Sequence, residues 1–176
     1  QALEPFVGER FTLEELTINY RTPAQIAEAA VSVAQAAGYE VSAPRAVREG
    51  RWPPLVHEVA AESVVEQTVS VVSEEVAHSG GDLIGVVCPP SLYVQTAQAV
   101  ARAHADRTGT AQTALENQVL VLTPWEAKGL EFDVVVIVEP QQLIDDADGA
   151  VGDLYVSMTR PTQRLHMVGS RMPAGL

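Results

Sequence analysis

Gln118-Val-Leu-Val-Leu-Thr-Pro-Trp-Glu-Ala-Lys-Gly-Leu-Glu-Phe-Asp-Val-Val-Val-Ile-Val138 decides the fold. It holds two runs of strand length, Gln118–Thr123 and Asp133–Val138, each apolar on consecutive residues. A strand with one wet face alternates apolar and polar side chains; these do not, so both faces of each are buried. Such strands belong to a parallel sheet covered by helices on both sides. Working outward, Leu83–Val87 has the same character, and Leu55–Ala60 and Arg164–Gly169 read as further strands. Phe11–Ile18, apolar at 11, 13, 16 and 18, reads as a short first strand.

Helical patterns fill the gaps. Ile26, Ala29, Ala30, Val33, Ala34 and Ala37 recur at helical spacing, with Thr22 as the expected N-cap, Pro23 as first residue and Gly38 as the stop. Glu62–His78 places Val65, Val69, Val72 and Val76 on one face. Ser91 is the expected cap of a helix reaching about Ala105, and Gly149–Thr159 is a last helix, after an acidic loop at Asp145–Gly149. The order predicts an α/β domain with a mainly parallel sheet and helices on both faces. Ligands of such sheets collect at the carboxyl ends of the strands. Tyr20, Arg21, Cys88, Thr123–Glu131 and Glu139 all follow strands in this reading and are expected along one edge.

Composition narrows the function. The 176 residues fit one domain, and 47% hydrophobic with 19% charged is globular. Eleven Lys and Arg against 23 Asp and Glu give a charge of −12, which argues against a stand-alone nucleic-acid binder. Cys88 is the single cysteine, so no internal disulfide forms, and with four scattered histidines no metal site is expected. No apolar run is long enough to span a membrane, and Gln1–Arg10 lacks the pattern of a signal peptide, so a cytoplasmic location is expected. Ten of the cations are Arg; the only lysine is Lys128. Arg45, Arg48, Arg51 and Trp52 form a basic-aromatic cluster, read as a solvated edge strand because acidic residues surround it. There is no Gly-Lys dipeptide, hence no phosphate-binding P-loop, and no Gly-x-Ser-x-Gly or Ser-x-x-Lys element. Taken alone, the chain has no visible catalytic centre.

Three segments nevertheless resemble one family. Leu16-Thr-Ile-Asn-Tyr-Arg-Thr-Pro23 is similar to motif IV of superfamily 1 helicases of the UvrD/Rep/PcrA type, Thr123-Pro-Trp-Glu-Ala-Lys-Gly-Leu-Glu-Phe-Asp133 to motif V, and Leu154-Tyr-Val-Ser-Met-Thr-Arg160 to motif VI, in the family's order. The resemblance implies a single RecA-like 2A domain over residues 1–176, the C-terminal part of a larger motor whose N-terminal 1A lobe holds ATP with Mg. It implies that Tyr20 stacks on the adenine, that Arg21 and Arg160 reach the γ-phosphate as arginine fingers, and that Gly129 and Glu131 lie beside the nucleotide, with the carboxylate near the ribose. Thr123, Trp125 and Lys128 then border the nucleic-acid channel. Trp125 either stacks on a base or covers a hydrophobic patch between lobes. Without the motif context, Tyr20, Arg21 and Arg160 read as ordinary surface or strand-end residues, and Gly129 as serving a turn.

The chain departs from the UvrD pattern. Residues 22 to 122 already fill with sheet and helix, leaving no room for the 2B insertion. Cys88-Pro89-Pro90 stands where the family often has an arginine, and Pro161 where alanine commonly follows the motif VI arginine. The compact lobe and Lys-Gly-Leu-Glu-Phe-Asp are most similar to the HelD branch, ATPases that act on RNA polymerase. A true UvrD-type DNA helicase, a helicase–nuclease, and a non-catalytic α/β module that binds a protein are the other readings. Convergence of Tyr20, Arg21, Gly129, Glu131 and Arg160 on one face separates the motor readings from the last.

Overall fold

The computed structural model describes residues 18–19, 22–41, 45–46, 50, 52–78, 80–110, 117–146 and 150–176. The strands are β1 (Ile18–Asn19), β2 (Arg45–Ala46), β3 (Leu55–Glu58), β4 (Ile84–Val87), β5 (Thr108–Gly109), β6 (Val119–Leu122), β7 (Phe132–Val138) and β8 (Pro161–Gly169). The helices are α1 (Ala24–Ala36), α2 (Val64–His78), α3 (Pro90–Ala103), α4 (Pro140–Asp145) and α5 (Ala150–Met158), with a 3-10 turn at Ala61–Ser63 before α2. Six strands form one sheet in the order β3-β8-β7-β4-β6-β5; β1 and β2 pair separately. Every pairing is parallel, so the sheet is wholly rather than mainly parallel.

The strands at the centre explain their own sequence. Val134, Val136 and Val138 of β7 pack to one side with Val119 and Val121, under Val64, Val71 and Val72 of α2 and Val100 of α3. Val135 and Ile137 pack to the other with Leu120 and Leu122, under Ile26, Ala30 and Val33 of α1, Leu143 of α4, and Leu154 and Met158 of α5. Two buried faces per strand require the unbroken apolar runs. Each fully buried side chain of this kind contributes roughly 1.5–3 kcal/mol. Gly85 in β4 is glycine because the Phe132 ring occupies its side-chain space: a Cβ there would meet ring carbons at 2.9 Å.

Several expectations change at the element ends. Of the first strand only Ile18–Asn19 lies among the described residues; the rest of Phe11–Ile18 is outside them. Thr22 does not cap α1. Its hydroxyl donates to the Thr159 carbonyl (2.9 Å), and Pro23 is the N-cap residue, without a side-chain cap bond. Gly38 does end the segment, at φ 86°. α2 buries Val64, Thr68, Val71, Val72 and Glu75, leaving Val65, Val69 and Val76 half-buried, because the helix turns its seam by about one residue from the valine stripe. α3 starts at Pro90 with Pro89 as N-cap, so Ser91 lies inside it and instead accepts a hydrogen bond from Gln142 (2.9 Å). β8 begins at Pro161, three residues before the expected start. α4 occupies a stretch to which the sequence reading assigns no element, up to the first residue of the expected acidic loop, and is entered through Glu139 in the left-handed region at φ 47°. Of the basic-aromatic cluster, Arg45 lies in β2 and Trp52 is exposed; Arg48 and Arg51 are outside the described residues. No helix among the described residues is long and apolar enough to cross a membrane.

Candidate functional site

The corner at the amino ends of β7 and β8 is built by three chain segments. α5 ends at Met158, and its last carbonyls are closed locally: the Thr159 hydroxyl and amide donate to Tyr155 and Val156 carbonyls, and Arg160 Nε donates to the Val156 carbonyl (3.0 Å). A guanidinium at a helix C-terminus satisfies orphan carbonyls and suits the negative end of the macrodipole. Phe132 N–H donates to the Arg160 carbonyl (3.4 Å), which brings Glu131 alongside. The Thr22–Thr159 bond adds the start of α1. Tyr20 and Arg21 lie outside the described residues; Thr22, the next residue after Arg21, is held at this corner. Glu131 is exposed and Arg160 half-buried. Gly129 takes φ 84°, a conformation that by itself calls for glycine, and its side-chain position faces open space.

The expected line-up along the strand carboxyl ends does not occur. Glu131 and Arg160 precede β7 and β8, so they stand at the amino ends. The reason is the path of residues 123–131. They leave β6 at its carboxyl end, cross the sheet with Ala127 buried in the core, and enter β7 from the opposite end. Thr123 and Glu139 do follow strand ends. Glu139 is buried there, its carboxylate accepting the Ser170 amide (3.1 Å). Cys88 also follows a strand but is fully buried, and burial pushes its thiol up to about 12, so it is neither exposed nor reactive.

The second group of expected residues lies on the crossing segment. Thr123 and Glu126 close a capping box: the Glu126 carboxylate accepts the Thr123 amide and hydroxyl (both 2.9 Å), and Glu126 N–H returns to the Thr123 hydroxyl (3.4 Å). This fixes the turn that carries Trp125, 74% exposed. The Lys128 ammonium sits 4.4 Å from the centre of the Trp125 ring and 2.8 Å from Asp153 on α5. The pair is too exposed to contribute much stability, but it covers part of the ring with a cation. Glu126→Ala is expected to destabilise the domain by about 1 kcal/mol and to increase acrylamide quenching of Trp125 in a Trp52→Phe background, with Glu126→Gln restoring both. Unchanged quenching in Glu126→Ala would show that the box does not fix the turn.

One cluster is absent from the sequence reading. Glu75 of α2, at the buried seam, accepts from Arg164 Nε and Nη2 (3.0 and 2.7 Å) and pairs with His166 Nε2 (2.9 Å); Arg164 Nη2 also reaches Asp82 (3.1 Å). His57 of β3 continues the chain to His166 (3.0 Å). Burial alone would raise the Glu75 carboxyl, but the hydrogen bonds from His166 and Arg164 outweigh it and hold it at about 2. The signal was present: Arg164 and His166 interrupt an apolar strand, and Glu75 falls on the apolar face of its helix.

The all-parallel six-stranded sheet with helices on both faces defines the class, a RecA-like α/β fold. The chain belongs to the family of the viral superfamily 1 RNA helicase core domain, whose profile matches residues 23–169. Among solved structures it is similar to the C-terminal domain of a possible DNA helicase from Lactobacillus plantarum WCFS1, with a TM-score of 0.64 and 20% identity over 89% of this chain and 90% of that one. It is also similar to the Sulfolobus solfataricus SWI2/SNF2 ATPase core solved in complex with dsDNA, with a TM-score of 0.50 and 16% identity over 92% of this chain. It spans 35% of that second chain. At these identities the likeness is one of fold. No curated protein sequence matches it.

Proposed function

We propose that the chain is the second motor lobe, domain 2A, of a superfamily 1 ATPase, completing a nucleotide site whose phosphate loop and Mg ligands lie on a first lobe, 1A. The observation that carries this reading is the corner itself. The Thr22–Thr159 and Phe132–Arg160 bonds join the ends of the motif IV, V and VI segments, which are far apart in sequence. A non-catalytic protein-binding module would have no need of that meeting. The corner suits a nucleotide: it offers a guanidinium at Arg160, an exposed carboxylate at Glu131 and open space beside Gly129. On this reading Arg160 and Arg21 stabilise charge on the γ-phosphate, Tyr20 stacks on adenine, and Glu131 accepts from the ribose. Mg, held by ligands on the first lobe, would supply charge neutralisation there. Because the arginines come from a separate lobe, hydrolysis depends on lobe closure. Thr123, Trp125 and Lys128 form the nucleic-acid-facing strip, with the exposed Trp125 ring as a stacking surface.

Between Thr22 and Thr123 the six-stranded sheet takes up β3 to β6 and their helices, which favours a compact lobe without a 2B domain. That compactness supports the HelD-like branch, with RNA polymerase as the load, over a UvrD-type duplex helicase or helicase–nuclease. The net charge of −12 also favours a protein load. The isolated chain is expected to release no phosphate from ATP. In the complete motor, Tyr20→Ala is expected to raise KM for ATP with kcat nearly held, since stacking acts in ground and transition states alike. Steady-state phosphate release measures both. Sustained turnover by the chain alone, abolished by Arg160→Ala, would overturn the division between lobes.

A further inference from the structure

We propose that His57 and His166 form an acid-labile clasp, which holds the edge strand β3 on the sheet with no more than one added proton and releases it on the second. β3 is four residues long, pairs among the described residues with β8 alone, and exposes Val56 and Glu58. Such a strand is a candidate for opening below the global unfolding free energy. Its side-chain tie to the sheet is the His57 Nε2 to His166 Nδ1 hydrogen bond, at 3.0 Å, between rings within 17° of parallel.

The proton count follows from the partners. Glu75 is ionised and can only accept, so His166 Nε2 carries a hydrogen. When both rings are neutral, His57 Nε2–H donates to the lone pair on His166 Nδ1. One added proton leaves the bond intact on either ring, because a single hydrogen still lies between the facing nitrogens. A second puts hydrogens on both facing nitrogens and positive charge on both rings. The bond is then impossible and the rings repel at 3.0 Å. The groups facing the pair are Glu74, Glu75 and His78 from α2 and Arg164 from β8, the last also bound to Asp82 in the turn before β4. The carboxylates outnumber the one guanidinium, which favours the first proton but cannot offset contact repulsion by the second. In keeping with this, burial and then His166 hold His57 below its ordinary value of 6.5, with Glu74 opposing. At His57 the folded state thus binds less proton than the unfolded chain below pH 6.5, so the stability this ring contributes is complete above that pH and is lost as pH falls through its lowered value, where the second proton arrives. Release of the clasp bares the edge of β8 from His166 to Gly169 and opens the cleft of about 430 Å³ lined by Trp52, Leu55, Val56 and His78.

Amide hydrogen exchange read by NMR tests this on the chain itself. The reporter is the Val59 amide, bound to the Gly169 carbonyl (3.0 Å); the reference is the Cys88 amide, bound to Leu122 in the sheet centre (3.0 Å). Val59 protection relative to Cys88 is expected to fall about tenfold or more between pH 7 and pH 5. In His57→Gln, which keeps a donor for His166 but cannot be charged, it is expected to stay flat. Glu74→Gln is expected to move the midpoint to lower pH, because the carboxylate that favours protonation is gone. A flat wild-type profile, the same fall in His57→Gln, or an unmoved midpoint in Glu74→Gln would overturn the clasp.

Discussion

Replacing Arg160 by alanine in the complete motor is expected to lower kcat for ATP hydrolysis by roughly 10³–10⁵-fold, and Arg160→Lys to recover little of it. The proposed role asks one side chain for two tasks. Nε is engaged with the Val156 carbonyl at the end of α5, which positions the stem. The rest of the guanidinium is assigned to the γ-phosphate. A lysine has one ammonium on a flexible stem, so it cannot hold the helix end and present a planar fork together. Single-turnover phosphate release separates this from nucleotide affinity, which should change far less than the rate. Wild-type kcat in Arg160→Lys would contradict the assignment.

The second large effect concerns stability. Arg164→Ala is expected to cost about 3–5 kcal/mol, because it removes the guanidinium that bridges the Glu75 and Asp82 carboxylates and leaves buried Glu75 with His166. For a domain of this size that is a fall in Tm of roughly 6–20 °C. Both partners of the main pair are well buried, at 15% and 10% exposed, so solvent screening removes little of the effect. The same network sets an acid limb. Glu75 is held at about 2 against an ordinary 4.5, so its stabilisation is complete above about pH 4.5 and is lost as pH falls towards 2. Thermal unfolding followed by circular dichroism at pH 7 and pH 3 should show the gap between wild type and Arg164→Ala narrowing in acid. An equal gap at both pH values would place the energy elsewhere than in the ion pair.

Central strands were legible because a two-sided burial demand writes itself into consecutive residues, as in Val134–Val138. Edges were not. Thr22 has the chemistry of a cap, yet its hydroxyl goes to Thr159, a partner 137 residues away that no local pattern specifies. Ser91 failed as a cap for a simpler reason: Pro90 already opens the helix. The superfamily 1 likeness was legible in the motif segments, but the sheet end at which Glu131 and Arg160 stand was not. Reading Thr123–Glu131 as a loop after a strand leaves out that it must reach the start of the next one. The Glu75–Arg164–His166 cluster has no local signature as a group, because its members sit on a buried helix seam and inside a strand 89 and 91 residues away.

That crossing segment has a mechanical consequence. Thr123 lies level with Val138 across the sheet, and Glu131 stands seven strand positions below it, about 23 Å away at the rise of a strand. On the proposed reading, the peptide between Trp125 and Glu131 is the covalent link between the two sites and behaves as a shaft along the domain. Ala127, fully buried midway, is its bearing. A larger side chain there would seize the shaft without touching either end.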